Sequence, residues 1–257
     1  MTWMPSRTYE PEVLDNETPP PETLGECYEF LKRTNRWLGG VRATLGRFRR
    51  FSRRWAPGER IRVLDVATGA ADIPRALVKW ARSRGFDLTV TALDLDPAAL
   101  DFARRDAGRD GIHYLCSDVL RMPCLEGSFD YVISSLFFHH LTDEQVLVVL
   151  RAFDRIARRG IVVNDLIRRW RAWFWTKVFT VFSNSILQND GPLSVRKSLT
   201  VGEAEDLVAR AGLPYLRVRT HFGHRMTISG EKIGPPGSLR VAEPADRFEA
   251  NSATRAS

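Results

Sequence analysis

Residues 63–72, Val63-Leu64-Asp65-Val66-Ala67-Thr68-Gly69-Ala70-Ala71-Asp72, read as the end of a buried strand, a turn of small residues and the first residue of a helix. Asp94 follows 29 residues after Asp65, in the run VTALDLDP, where a second strand ends in an acid. Strand, tight turn, helix and acid-ended strand outline a nucleoside-binding unit. The small residues let backbone approach a ligand closely. A carboxylate at the second strand end can accept from both ribose hydroxyls. The dinucleotide fingerprint G-x-G-x-x-G is absent, since VATGAAD holds one of its three glycines. Asp65 and Asp72 would also repel a pyrophosphate at the helix start, whereas they would attract a cation.

Outward from this unit, strands and helices alternate, which predicts a mostly parallel sheet covered on both faces. IRVLDVA, DLTVTALDL, IHYLCSDV, FDYVISS and GIVVNDL are the expected strands, with LPYLRVRT and HRMTISG as two more. Thr142-x-x-Gln145 and Thr200-x-x-Glu203 are capping boxes that open helices ending near Arg158 and Gly212. Asp96 with Pro97 starts another helix. Residues 1–22 carry five prolines and few apolar side chains, so disorder is expected there. Leu24, Cys27, Leu31 and Leu38, then Val41, Leu45, Phe48, Phe51 and Trp55, have helical spacing either side of Gly39-Gly40. They predict a helical cap over residues 23–58. A catalytic domain over 59–230 and a flexible tail over 231–257 complete the division.

Composition narrows the class. The 257 residues, 44% of them hydrophobic, suffice for a core without staples. Cys27, Cys116 and Cys124 lack C-x-x-C spacing, so neither disulfides nor a metal site is expected. With no apolar leader or spanning segment in the sequence, the expectation is a cytoplasmic protein, with contact at a membrane surface held open. The net charge is +7, and eleven Lys or Arg between Lys32 and Arg62 face one acid, Glu59. That patch suits either a solvated face or nucleic acid, of which the first is favoured.

VATGAAD with Asp94 resembles motif I of the class I S-adenosylmethionine-dependent methyltransferases, with Ala67 and Ala71 where D-x-G-x-G-x-G has glycine. The resemblance implies an α/β, Rossmann-like fold, a seven-stranded mostly parallel sheet whose last strand inserts antiparallel, preceded here by the N-terminal helical cap. It implies S-adenosylmethionine as cofactor. Ala67, Thr68 and Gly69 would meet the methionine part, with Asp65 supporting the loop or reaching the amino group. Asp94 would accept from the ribose and Leu95 pack on adenine, while Asp118 and the Val119 backbone would bond the ring. Ser135 closes the fourth strand beside them.

After strands four and five stand His139-His140 and Asp165. In small-molecule methyltransferases of this pattern such a histidine and acid deprotonate the acceptor, and His140 is favoured here as the base with Asp165 orienting it. A phenol-like hydroxyl has a pKa of about 10, so ionising it at neutral pH costs roughly 4 kcal/mol. A positioned base returns about 10²- to 10⁴-fold, which is of matching size.

Residues 166–198 carry an aromatic insertion, in which Ile167, Trp170, Phe174, Val178 and Val181 fall at helical spacing. They predict a lid over a large apolar acceptor, with Trp170, Phe174, Asn189 and Arg196 as acceptor contacts and a turn at Asp190-Gly191-Pro192. NDGPLSVRKSLT, NRWLGG and VNDLIRR are similar to bacterial methyltransferases associated with type III polyketide synthases. That implies O-methylation of a phenolic or pyrone polyketide, alkylresorcinol-like and hydrophobic. C-methylation of a quinone or another aromatic carbon, and an RNA-binding methyltransferase, are the alternatives; nucleic acid is disfavoured, and oligomeric state is left open.

Overall fold

A computed structural model of the chain describes residues 4, 6–17, 19–105, 111–121 and 126–232. Strand β1 (Arg60–Val66) lies inside a seven-stranded sheet, pairing in parallel with β2 (Asp87–Asp94) and β4 (Phe129–Ser135). Beyond them run β3 (Ile112–Cys116) and β5 (Ala157–Leu166), also parallel. The chain closes with β6 (Arg217–His221) and β7 (Arg225–Glu231), and β7 inserts antiparallel between β5 and β6. The order β3-β2-β1-β4-β5-β7-β6 puts a topological switch between β1 and β4, where ligands of such sheets collect. This is the expected Rossmann-like sheet.

Successive residues of β1 face opposite ways, and Val63 and Leu64 are both fully buried because helices cover each face. On the Val63 side, helices α3 (Gly40–Phe51) and α4 (Asp72–Ser83) bring Phe48, Phe51, Ile73, Leu77 and Trp80. On the Leu64 side, α6 (Asp143–Ile156) and α9 (Val201–Ala211) bring Val149, Leu150, Phe153 and Leu207. Both capping boxes form, with Thr142 and Thr200 accepting from the backbone of Gln145 and Glu203. Helix α5 (Pro97–Arg105) follows β2, and Asp96 caps it by accepting from Ala98 N at 2.9 Å.

Four expectations change. Residues 1–22 are not all without structure: helix α1 (Val13–Asn16) forms there, and Arg7 donates to Phe138 O, Leu141 O and Asp143. The two N-terminal helices, α2 (Pro21–Trp37) and α3, are split at Gly39 as predicted, but α3 belongs to the sheet's own helical layer rather than to a separate cap. The turn expected at Asp190-Gly191-Pro192 lies inside helix α8 (Ser185–Lys197). The strand expected over LPYLRVRT begins only at Arg217. Of the tail expected to be flexible, all but Glu231 and Lys232 lies outside the described residues, as does Cys124.

Candidate active site

The loop after β1 is held between two carboxylates. Asp65 Oδ2 accepts the Thr68 hydroxyl at 2.6 Å, and Asp94 Oδ2 accepts Gly69 N at 2.7 Å. Ala67 and Ala71 adopt left-handed φ values of 55° and 53°, which costs a non-glycine residue about 1–2 kcal/mol. Leu136 after β4 and His224 before β7 do the same. Ala67, Leu136 and His224 line one cavity, so backbone strain is concentrated around it. Burial pushes the Asp65 carboxyl up to about 8, against the Thr68 hydrogen bond, and raises Asp94 as well.

At the ends of β4 and β5, His139 Nδ1 lies 2.7 Å from Asp165 Oδ1, and His139 N donates to Asp165 Oδ2 at 3.0 Å. Both oxygens of one buried carboxylate therefore clamp one histidine. Burial alone would raise Asp165, but the His139 ring and the Leu166 N–H carry it below the usual range. With Nδ1–H donated to a carboxylate, Nε2 keeps its lone pair. Glu12 Oε1 stands 3.9 Å from Nε2, too far for a hydrogen bond.

The partner of His140 is different. Its Nδ1 lies 2.9 Å from Asp15 Oδ1, so the N-terminal segment reaches into the site. That strap is tied to α8, where Asp190 accepts from Val13 N and Leu14 N, Ser194 donates to Glu12, and Lys197 donates to Asp15. Burial lowers the His140 pKa, but Asp15 and Glu12 outweigh it and the net shift is upward. The sign follows: the His140 contribution to strap docking is complete below its free value of about 6.5 and is lost as pH rises through the raised pKa. Amide exchange at residues 12–16, corrected for the intrinsic rate, should therefore speed up as the pH rises beyond the free value of about 6.5 and through the raised pKa. His140→Ala should abolish that dependence; its persistence would show that another group holds the strap.

Opposite the loop, Arg225 is fully buried and lines the cavity. Its Nη2 donates to Asn35 Oδ1 at 3.0 Å, while Nε and Nη1 have no hydrogen-bond partner among the described residues. Burial pulls its pKa down to about 10, with Asp165 and Asp72 opposing the fall. The guanidinium therefore acts on the site as a buried positive charge near Asp165 and Asp72. The cavity measures about 1530 Å³ and runs from Asp94, Leu95 and Asp118 past His139 and His140 to the aromatic residues Trp175 and Phe179.

Residues 63–160 match the methyltransferase domain family. An 84-residue segment is 36% identical to the demethylmenaquinone methyltransferases of Deinococcus radiodurans and Thermus thermophilus. The match covers 32% of this chain and about a third of each relative, 33% and 36%. Among solved structures, the fold is similar to a plantazolicin methyltransferase in complex with SAH, with a TM-score of 0.64, 12% identity and coverage of 82% of this chain and 90% of that one. A SAM-dependent methyltransferase from Aquifex aeolicus gives a TM-score of 0.57 at 17% identity, covering 84% and 100%.

Within the matched segment, Ala67, Gly69, Asp94, Leu95 and Asp118 all line the cavity. Asp65, Thr68 and Ser135 do not; Asp65 and Thr68 stand behind the loop and brace it. Val119 lies in a short 3-10 turn after Asp118. The histidine preference is corrected, since Asp165 binds His139 and not His140. The acceptor contacts shift as well. Trp170, Phe174, Asn189 and Arg196 are exposed and do not line this cavity, whereas Trp175, Phe179, Asp190 and Ser194 on the same two helices do. Helix α7 (Trp170–Thr180) turns its other side inward.

Sequence reasoning missed Glu12, Asp15 and Arg225. An arginine opening the strand Arg-Met-Thr-Ile-Ser, in a sheet otherwise buried, was the available signal, because such a charge is seldom buried without a task. No metal ligands were expected, yet Glu12, His139 and His140 bring ligand atoms within 4.8 Å of one another and could hold an ion. Lys197, 3.3 Å from Glu12 and 2.9 Å from Asp15, already supplies a cation to the same carboxylates.

Proposed function

We propose that this chain is an S-adenosylmethionine-dependent methyltransferase that methylates a hydroxyl group of a hydrophobic phenol or pyrone. The observation that carries the reading is the His139–Asp165 pair at the floor of a largely apolar cavity that also holds Asp94 and Arg225. The donor set fits the cofactor. Each Asp94 oxygen accepts one backbone N–H, leaving further lone pairs for two ribose hydroxyls. The buried positive charge of Arg225 would favour the amino-acid carboxylate, and Asp118, lining the same cavity, would take the adenine amino group. S-adenosylmethionine supplies a methyl group on a positively charged sulfur.

The rest falls to the protein. His139 Nε2 would take the proton of the acceptor hydroxyl whose oxygen receives the methyl group that S-adenosylmethionine would supply. Asp165 holds Nδ1–H and stabilises the imidazolium that forms. Trp175 and Phe179 exclude water and accept an apolar body.

C-methylation is the second reading, and the demethylmenaquinone methyltransferase similarity favours it. Supplying an alkylresorcinol and a demethylated quinone side by side separates the two. The expected product is a methyl ether of the resorcinol; methylation of quinone carbon alone would sink the O-methylation reading. The RNA reading predicts tight, salt-dependent RNA binding, and no feature of the cavity calls for it.

A further inference from the structure

Helix α7 is built inside out. It packs on α8 through small residues: Ala172 and Thr180 are buried, and a Cβ at Gly191 of α8 would lie 3.0 Å from Thr180 Cγ2 and 3.1 Å from Thr176 Cγ2. Its large apolar residues face outward. Trp170, Phe174, Val178 and Val181 are 53%, 47%, 41% and 53% exposed, and Phe182 just beyond is 98% exposed. A helix facing water shows the reverse order. A contiguous apolar patch of this kind marks an interaction surface. Small residues toward protein and large apolar ones outward is the arrangement of a helix that faces lipid.

Charge says which surface. No acid occurs between Leu166 and Asn184, while Arg169, Arg171 and Lys177 are exposed on or beside the helix. Lys177 Nζ sits 5.1 Å from the Trp173 ring centre and Arg171 Cζ 6.0 Å from that of Trp170, so aromatic and cation are paired as at a headgroup layer. No described helix is long and apolar enough to cross a membrane, and α7 has 11 residues, so it would lie along the surface. The outward patch is continuous with the cavity, because Trp175, Phe179 and Phe182 are exposed and also line it.

We propose that α7 docks the chain on an acidic phospholipid bilayer and that the acceptor enters the cavity from the bilayer past Trp175, Phe179 and Phe182. The entry route rests on the reading of a hydrophobic acceptor; the docking does not. The full-length chain is sedimented with vesicles of phosphatidylcholine, alone or mixed with phosphatidylglycerol. Binding is expected to the mixed vesicles and to weaken with salt. Trp170→Ser with Phe174→Ser and Val178→Ser should reduce it at least about tenfold. Arg169→Gln with Arg171→Gln and Lys177→Gln should reduce it on the order of 100-fold. Both variants keep their activity on a short, water-soluble phenol and lose it on a vesicle-embedded acceptor.

No binding to mixed vesicles, binding that neither variant changes, or a solution dimer that the serine variant converts to monomer would overturn the proposal. In the last case a second copy covers the face. Vesicle binding by a chain that methylates no phenol would leave docking standing and sink the proposed activity. Methylation without vesicle binding would do the opposite.

Discussion

His139→Ala lowers turnover by about two to four orders of magnitude and leaves cofactor binding unchanged. The ring is clamped by both Asp165 oxygens, its Nε2 lone pair points away from that clamp, and no hydrogen bond among the described residues consumes it. Asp165→Asn should cost a comparable factor, because an amide can present the wrong hydrogen to Nδ1 and favour the other tautomer. His140→Ala should cost less. Its ring is held by Asp15, and its loss loosens the strap rather than removing the base. Single-turnover rates with saturating cofactor separate these cases. Equal loss in both alanine variants, with the strap shown by amide exchange to stay docked, would remove the distinction.

Asp94→Ala weakens cofactor binding by at least about 100-fold, since two hydrogen bonds to a charged group contribute about 1.5–3 kcal/mol each. The effect is read by calorimetric titration of the cofactor or its demethylated product. Acceptor affinity should hardly move. Asp94 also carries Gly69 N and Asp96 N, so the substitution loosens the loop as well. Asp94→Asn keeps one acceptor oxygen and should fall between the two. Equal loss of cofactor and acceptor affinity in Asp94→Ala would mean that the residue shapes the loop and does not bind the ribose.

Why these residues could be read from sequence and others could not is a matter of range. Asp65, Asp94 and Asp118 stand at or just after strand ends, and the capping boxes at Thr142 and Thr200 are four-residue patterns; local rules suffice for both. The seven-stranded order followed from alternation and resemblance together. Glu12 and Asp15 were invisible because they act on histidines remote in sequence, and because their segment is proline-rich. Its order comes from bonds to Asp190, Ser194 and Lys197 rather than from an apolar face of its own.

Helix α7 shows a different limit. Periodicity located the large apolar face, and packing it inward was the natural choice. The stripe Ala172, Thr176, Thr180 opposite Gly191 instead allowed close helix contact and left the aromatics outside. Which of two apolar faces is buried depends on the partner helix. The choice between His139 and His140 was similar, since their Cβ vectors diverge by one step of a 3-10 turn that only the fold orients toward Asp165.

Incubating the chain with S-adenosylmethionine labelled in its methyl group and an alkylresorcinol, then identifying the labelled product, decides the matter most directly. The label should appear on a phenolic oxygen with the wild-type chain and be nearly lost with His139→Ala. Label on a ring carbon, or full transfer by His139→Ala, would contradict hydroxyl methylation through the His139–Asp165 pair.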